Sequence, residues 1–316
     1  MQTRLSRDTM RQAMPIITLV VLVVIVGAFQ PQFVNPQTLL GIASDTATLF
    51  VLGVGVTFVI MLGGIDLSIQ AVASLASVLV ALLLLPLGYL AFVVAIGVGA
   101  MVGLVTGMSH VVLRIPSFIA SLAIGGVAAG AALLLSDAQA ITLGETERIY
   151  TGWITGSVFG VPDEVVIGAI VLVAGTLVQR YTAFGRFSQA IGAGEPAAIA
   201  AGIRVGLHKV IAFVLSGAAA GLAGVILGGR LASGSPTLAN QLLLPAIAAV
   251  IVGGTAITGG VGSIWRTLVG ALIITVVRTG MTFLNVDIFI QQAVFGGMLI
   301  IAVALTIDRS KIPIVK

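Results

Sequence analysis

Residues 44–85 read SDTATLFVLGVGVTFVIMLGGIDLSIQAVASLASVLVALLLL and contain two apolar runs separated by one more polar segment, Gly63–Gln70. Each run approaches the roughly 20 apolar residues that an α-helix needs to cross a bilayer. The whole chain has this character, since 59% of its 316 residues are hydrophobic and only 8% are charged. Soluble domains carry about 25% charged residues. The sequence therefore predicts an all-α, polytopic integral membrane protein with a single transmembrane domain, residues 1–316.

The apolar runs predict ten spans, with boundaries at proline, glycine and charged residues. The spans are Pro15–Phe29, Ser44–Leu62, Ala71–Leu85, Leu87–Met108, Pro116–Leu135, Glu164–Val178, Val210–Gly228, Leu242–Ile257, Thr267–Leu284 and Ile288–Ile307. A polar segment at 136–163 separates the fifth and sixth spans, and a second polar segment follows the sixth span and ends at Lys209. The third, sixth and eighth spans are short, which favours tilted or discontinuous helices, and we expect at least one discontinuous helix.

Basic residues indicate which side of the membrane each loop faces. Ten spans put both termini on one side, and with the termini in the cytoplasm that side collects twelve of the fifteen Lys and Arg residues. Arg148 and Arg230 fall outside, and Arg278 lies within a span. Such an excess of cytoplasmic basic residues follows the positive-inside rule. The sequence therefore predicts that both termini are cytoplasmic.

The chain also shows a weak internal relationship between a first half, 12–180, and a second half, 210–308, joined by a cytoplasmic loop, 181–209. One span ends in VTFVIMLGG (56–64) and a later one in IAAVIVGG (247–254). Paired hydrophobic segments interrupted by glycine in two halves often mark the substrate path of a transporter. The alternative is the ordinary abundance of glycine, of which the chain has 40.

The two interruptions supply the candidates for contact with a transported solute, which are Gly63, Gly64, Asp66, Ser68, Gln70, Gly253, Gly254 and Thr255. A charge such as Asp66 within a span costs about 2.5–3.5 kcal/mol and persists only when it is paired or faces water. The preceding double glycine favours a broken helix, whose free N–H groups Asp66 or Ser68 can cap. Capping and solute contact both remain open. Arg278, near the outer end of its span, is expected to snorkel to the interface.

A second candidate site is the loop segment GEPAAIAAG, Gly194–Gly202. Pro196 and Glu195 favour the start of a helix and Gly202 favours its end, which predicts an apolar helix of about two turns. Basic residues flank this helix on both sides and keep it cytoplasmic. We expect an apolar helix exposed to cytosol to dock on a partner; the alternative is that it rests on the protein's own surface.

The sequence argues against catalysis by this chain. It lacks the G-x-x-x-x-G-K-[ST] motif that cradles nucleotide phosphates. It has no cysteine that could serve as a nucleophile or metal ligand. Its two histidines, His110 and His208, fall at cytoplasmic ends of spans with no serine at the same depth. We therefore predict no catalytic residue, no metal site and no cofactor bound by this chain.

Three motifs resemble the transmembrane permease subunits of ribose-type ABC importers: GGIDLSIQ at 63–70, FGRFSQAIGAGEPAAIAAGIRV at 184–205, and GGTAITGGVGSI at 253–264. The resemblance runs from about Phe33 to Asp308. It implies a multi-pass permease of the bacterial inner membrane that moves a small polar solute, foremost a sugar, inward by alternating access.

The same resemblance implies the partners. They are two cytoplasmic ATPase subunits that bind ATP, a second copy of the permease or a homologous one, and a periplasmic solute-binding protein, with no nucleic acid. In such importers a coupling helix docks on the ATPase, and the resemblance places it here at Gly194, Glu195, Pro196, Ala197, Ala198, Ile199 and Gly202.

Three departures from the usual motifs leave the solute open. Gln70-Ala71 stands where these permeases usually have Gly-Ser, Gln241-Leu242 where they often have Glu-Leu, and Trp265-Arg266-Thr267 near a usual Gly-Thr. A heterodimer with a partner carrying the missing acid is one explanation. The alternatives are an amino-acid or nucleoside permease of the same superfamily, an ion-coupled secondary transporter, and a structural membrane scaffold.

Overall fold

The computed structural model describes the backbone of residues 2–306 and the side chains of residues 15–304. In chain order its helices are α1 (Gln2–Phe29), α2 (Pro36–Met61), α3 (Ile69–Leu87), α4 (Leu90–Val112), α5 (Ser117–Leu135), α6 (Glu145–Arg148), α7 (Gly152–Thr155), α8 (Asp163–Tyr181), α9 (Ala183–Ala193), α10 (Glu195–Ala200), α11 (Val205–Arg230), α12 (Leu243–Val252), α13 (Ile264–Phe283) and α14 (Ile288–Thr306). Short 3-10 helices cover Pro31–Val34, Ile149–Thr151 and Asn240–Leu242. The strands are β1 (Ile141–Thr142), β2 (Ser157–Val158), β3 (Val161–Pro162) and β4 (Ser233–Gly234).

The described residues confirm an all-α, polytopic membrane protein. Seven helices, α2, α3, α4, α5, α8, α11 and α13, are long and apolar enough to cross a membrane. Three shorter apolar segments, Pro15–Phe29, Asn240–Val252 and Ile288–Ala304, coincide with the other three predicted spans. Ten spans and cytoplasmic termini stay predictions, and Ile307 and the basic residues near the C-terminus lie outside the described residues.

Two spans predicted to be short are full-length helices. Both α3 and α8 have 19 residues, whereas α12 has only 10, as expected. The helix α3 includes Pro86 and ends at the next residue, Leu87. The helix α8 continues past Gln179, whose buried side chain donates to Gly262 O (2.8 Å) and accepts from Ile264 N (3.0 Å). A polar residue with partners inside the bundle need not end a span.

The helix α11 lies at the centre of the bundle and packs against α2, α3 and α4. Gly99 and Gly103 of α4 lie against the backbone of Gly217 and Phe213 of α11 so closely that a Cβ at either position would overlap it. Small residues allow helix backbones in membranes to approach in this way. The helices α4 and α11 are therefore in direct backbone contact at these glycines.

The two ends of α11 define the two ends of the bundle. Val205 follows α10, and Arg230 lies about 37 Å farther along the axis, at 1.5 Å per residue. The segment predicted to be polar, 136–163, folds over the Arg230 end, where β1 pairs with β4 (Ile141 opposite Gly234) and β2 pairs with β3. We refer below to the α10 end and the Arg230 end.

Candidate functional site

The first interruption, between α2 and α3, is a non-helical segment of residues 62–68. The helix α2 ends where Gly63 adopts a left-handed conformation (φ 77°), which favours glycine. Gly63 N donates to Ile60 O (2.9 Å) and Gly64 N to Val59 O (3.0 Å). This pair of bonds is a Schellman motif, which satisfies the last carbonyls of a helix.

The segment then runs along α5, whose serines satisfy its backbone. Ser117 Oγ accepts from Ile65 N (3.1 Å), and Ser121 Oγ accepts from Leu67 N (3.0 Å). Ser121 Oγ also donates to Ile65 O (3.3 Å). Irregular backbone at membrane depth is tolerated only where the protein supplies such partners. The two serines, one helical turn apart, therefore hold the segment in an extended course.

Asp66 is enclosed in the bundle, with 1% of its surface exposed. Its Oδ1 accepts from Ser68 N (2.9 Å) and Ser68 Oγ (2.6 Å), and its Oδ2 accepts from Ser216 Oγ (2.7 Å). Ser216 lies on α11 about 16 Å from Val205, so the carboxylate sits well inside the bundle. The carboxylate thereby binds the N–H of Ser68 and fastens the segment before α3, whereas Ser68, at the N-cap position of α3, makes no side-chain cap bond; solute contact at Asp66 stays a prediction. Ser68 is equally buried, while Gln70 is partly exposed at the start of α3.

The second interruption repeats the backbone geometry of the first. Gly254 has a φ of 93°, its N donates to Ile251 O (2.8 Å), and Thr255 N donates to Val250 O (3.1 Å). The helix α12 therefore ends in a Schellman motif at Gly253-Gly254-Thr255, as α2 ends at Leu62-Gly63-Gly64. Thr255 is fully buried, and among the described residues its hydroxyl has no hydrogen-bond partner.

The structure brings the ends of α2 and α9 together with the loop between α12 and α13. Gly260 N donates to Met61 O (2.9 Å). Gly192, near the end of α9, packs against these two atoms and against Gly259 with no room for a Cβ. A Cβ at Gly259 would lie 2.9 Å from Gly63 N. We call Met61, Gly63, Gly192, Gly259 and Gly260 the glycine junction. It joins the first predicted interruption, and the loop that follows the second one, to the segment before α10, whereas Asp66 and Ser68 lie deeper.

The predicted loop helix is α10, with six residues and an end at Gly202, whose φ is 80°. Gly202 N donates to Ile199 O (2.9 Å) and Ile203 N to Ala198 O (3.0 Å), a third Schellman motif. Glu195 accepts from Lys209 Nζ (2.7 Å) and thereby ties α10 to α11. The helix thus has a defined position at the end of the bundle.

The outward side of α10 is formed by Pro196, Ala197 and Ile199, and Ile199 is 58% exposed. Ala198 was included in the predicted docking helix, but it is only 4% exposed because it packs into the protein's own core. Any partner of α10 must therefore contact Ile199 and its exposed neighbours rather than Ala198.

A cavity of about 250 Å³ lies between the glycine junction and α10. Its lining includes Gly63, Gly64, His110, Gly192, Glu195 and Lys209. The cavity shows that the first interruption borders the space behind α10. His110, expected at the end of a span, is held there by a bond between its Nδ1 and Ile115 O (2.7 Å).

A charged cluster that was not predicted from the sequence lies at the Arg230 end. Arg230 Nη1 donates to Asp45 Oδ1 (2.5 Å), and Arg230 Nε lies 3.6 Å from Glu164 Oε1. Asp45 belongs to α2 and Glu164 to α8. An acid at position 45, inside an apolar run, was a signal of the same kind as Asp66, because such a charge requires a partner or water.

Residues 38–303 match the family described as branched-chain amino acid transport system / permease component. The chain is 36% identical to the ribose import permease of Bacillus subtilis over 98% of this chain and 97% of the relative. It is 35% identical to the ribose import permease of Escherichia coli, over 94% and 93% respectively. It is 34% identical to the L-arabinose ABC transporter permease of Azospirillum brasilense, over 86% and 80%.

The chain belongs to this permease family. The resemblance inferred from the three motifs is thereby confirmed. This permease is a subunit of an ABC transporter and not an enzyme. The match to residues 38–303 includes both interruptions, α10 and the charged cluster at the Arg230 end.

Proposed function

We propose that this permease forms the translocation path of an ATP-driven importer for a simple sugar. The observation that carries the proposal is the similarity over nearly the whole chain to permeases named for ribose and L-arabinose. A permease that contributes a path and no chemistry also agrees with the sequence, which lacks a nucleotide-binding motif and cysteine. ATP is bound by partner subunits, and this chain binds no cofactor.

We propose that α10 is the helix that couples this permease to the ATPase. Its exposed side offers Pro196, Ala197 and Ile199, a small apolar surface at the end of the bundle. The ion pair between Glu195 and Lys209 fixes α10 to α11, so a force on α10 reaches the central helix. The glycine junction offers a second route, since Gly192 packs against Met61 and Gly260. Movement of α10 therefore displaces the end of α2 and the loop after α12 together.

We place the α10 end in the cytoplasm and the Arg230 end in the periplasm of a bacterial inner membrane. The support is the distribution of basic residues, of which twelve of fifteen then face the cytoplasm. Ten spans follow if α12 and the two terminal helices also cross, which keeps both termini on the cytoplasmic side. The halves 12–180 and 210–308 are related through the matching ends of α2 and α12, and the loop 181–209 carries the coupling helix.

The assembly we propose contains two permease chains, identical or homologous, two ATPase subunits and a periplasmic solute-binding protein. Large apolar residues such as Val93, Leu134 and Ile170 are exposed on α4, α5 and α8. In a membrane such surfaces meet lipid tails or a second permease, so they need no soluble partner. The binding protein delivers solute at the Arg230 end.

Uptake into proteoliposomes that contain the complete transporter tests this function. We expect ATP-dependent uptake of labelled D-ribose or L-arabinose that requires both the ATPase and the solute-binding protein. Uptake of L-leucine or uridine instead of the sugars would favour the amino-acid or nucleoside alternative. Uptake that follows a proton or sodium gradient without the ATPase would contradict the assignment to an ATP-driven importer.

A further inference from the structure

A cavity of about 490 Å³ opens at the Arg230 end, between α2, α11 and α13. Small-molecule sites measure about 300–1,000 Å³, so this volume suits a ligand as small as a monosaccharide. Its polar lining consists of Asp45, Arg230, Thr237, Gln241, Arg278, Thr279 and Thr282. The wall thus contains carboxylate, guanidinium, amide and hydroxyl groups in one concave surface.

Two of the charged groups are fixed by the ion-pair cluster. Arg230 lies between Glu164, whose side chain is only 6% exposed, and Asp45. The side chains of Arg230 and Asp45 are 32% and 39% exposed, so both also reach the cavity. Asp45 uses Oδ1 for Arg230, while among the described residues its Oδ2 has no donor. One carboxylate oxygen is therefore free to accept a hydrogen bond from a ligand.

Arg278 supplies the complementary group. It borders the same cavity from α13 and makes no hydrogen bond through its side chain and no ion pair with any described residue. A guanidinium has five N–H donors in a fixed planar arrangement. An arginine in the wall of a cavity, with its donors unused, is suited to hydrogen-bond a solute there. The expectation that Arg278 only snorkels to the interface overlooked this cavity.

We propose that this cavity binds a neutral polyhydroxylated solute, a sugar ring, with Asp45 as acceptor and Arg278 as donor. The formal charges of Asp45, Glu164, Arg230 and Arg278 cancel, which favours a ligand without net charge. The hydroxyls and amide in the wall match the hydroxyls of a sugar, and four leucines offer apolar contact to its ring faces, namely Leu227, Leu231, Leu238 and Leu242. This proposal rests on the proposed sugar import but can fail independently of it.

The absence of cysteine from the chain allows a direct test of occupancy. Thr279 also lines the cavity, so the single variant Thr279→Cys places one thiol in its wall. Gln139→Cys, on the exposed segment that covers the same end, is the matched control. Both cysteine variants are labelled with a membrane-impermeant maleimide in the assembled transporter without ATP. The labelling rate is measured at increasing concentrations of D-ribose, L-arabinose or L-leucine, each added separately.

We expect the sugar that the transporter imports to slow labelling of Thr279→Cys by about tenfold at saturation, as an occupied site should. Labelling of Gln139→Cys should not change. A transporter that imports the sugar while labelling of Thr279→Cys stays constant would overturn the cavity assignment and leave sugar import intact. Protection by L-leucine alone would also overturn the assignment. Failure to import any sugar would instead refute the proposed function.

A substitution of the unused donor provides a second test. In Arg278→Gln we expect uptake to fall by about tenfold, the effect of one lost charge-assisted hydrogen bond, with copurification of the ATPase unchanged. Arg148→Gln is the control, because Arg148 lies at the same end and donates to Leu143 O instead of bordering the cavity. Normal uptake in Arg278→Gln would exclude this arginine from the solute site. Sugar protection of Thr279→Cys, measured in the Arg278→Gln background, should weaken in parallel.

Discussion

The carboxylate of Asp66 accepts a hydrogen bond from the hydroxyl of Ser216 at 2.7 Å, although 150 residues separate them in the chain. This contact joins the extended segment after α2 to the central helix α11. With the two bonds from Ser68, it gives a buried carboxylate three donors. The interruption between α2 and α3 is therefore a defined structure that is held from both sides, by α11 and by the serines of α5.

We expect Asp66→Ala to lower both the thermal stability of the purified permease and its uptake. The variant leaves buried donors of Ser68 and Ser216 without an acceptor, and each unsatisfied group costs about 1–3 kcal/mol. Ser216→Ala removes one donor and should cost less than Asp66→Ala. Thermal unfolding, monitored by fluorescence-detected size-exclusion chromatography, measures the stability of both variants. Wild-type stability combined with lost uptake in Asp66→Ala would show that Asp66 contacts solute instead of capping the segment.

The glycine junction predicts opposite outcomes for two glycines that are two residues apart. A Cβ in Gly192→Ala would overlap Met61 O and Gly260 N, so we expect destabilisation of about 1–3 kcal/mol and a marked loss of uptake. In Gly194→Ala the nearest atom to the new Cβ is Ala197 Cβ at 3.9 Å, and this variant should be tolerated. Equal stability of the two variants in thermal unfolding would show that close packing at Gly192 is unimportant.

Substitutions in the charged cluster at the Arg230 end should lower the stability of the permease by unequal amounts. Arg230→Met leaves the buried Glu164 without its cation, whereas Asp45→Asn leaves the pair of Arg230 and Glu164 in place. We expect Arg230→Met to be clearly more destabilising than Asp45→Asn. Because Arg230 is partly exposed, the loss should stay below the roughly 3–5 kcal/mol seen for fully buried pairs. The double variant Arg230→Met/Glu164→Gln should be more stable than Arg230→Met, because it removes the unpaired charge of Glu164. Equal stability of the two would show that this charge does not cause the destabilisation.

Sidedness is measurable with single cysteines. We expect Gln139→Cys to react with an impermeant maleimide from the periplasm, and Ala201→Cys to react only after the membrane is opened. Both positions are exposed, one on the segment covering the Arg230 end and the other directly after α10. Labelling of Ala201→Cys in intact spheroplasts would reverse the proposed topology. The terminus at Lys316 lies outside the described residues, and a tag there should be cytoplasmic.

Features set by local backbone chemistry could be predicted from the sequence. A helix that ends in a left-handed residue favours glycine, so Gly63, Gly254 and Gly202 pointed to helix ends, and the structure places a Schellman motif at each. Hydrophobic length likewise identified the membrane-spanning class. These properties depend on a few consecutive residues.

Partners distant in sequence could not be predicted. These partners are identified only once the helices pack. They are Ser216 for Asp66, Ser121 for the segment before α3, and Gln179 for the loop before α13. The same applies to Ala198, whose burial depends on what lies behind α10. Asp45, the second residue of the predicted span Ser44–Leu62, was a signal in the sequence that was left unused. The cavity at the Arg230 end could not be anticipated, because segments distant in sequence line it.

If α10 transmits the action of an ATPase to the permease, its exposed side must contact the ATPase. Ile199→Arg places a charge on the exposed side of α10, where it would enter the contact with the ATPase and lose its hydration, at a cost of several kcal/mol. Ile199→Val preserves the apolar surface, and Arg204→Gln, exposed beside it, alters charge without entering α10. Ala198→Arg should instead disturb the permease's own packing.

The decisive measurement is the ATPase activity of the copurified complex with and without solute-loaded binding protein. We expect Ile199→Arg to insert normally and to keep its thermal stability. The ATPase should nevertheless no longer copurify with it, or should lose its response to loaded binding protein, while both controls behave as wild type. Normal copurification, normal stimulation and normal uptake in Ile199→Arg would contradict the account and leave α10 as a helix that merely rests on its own bundle.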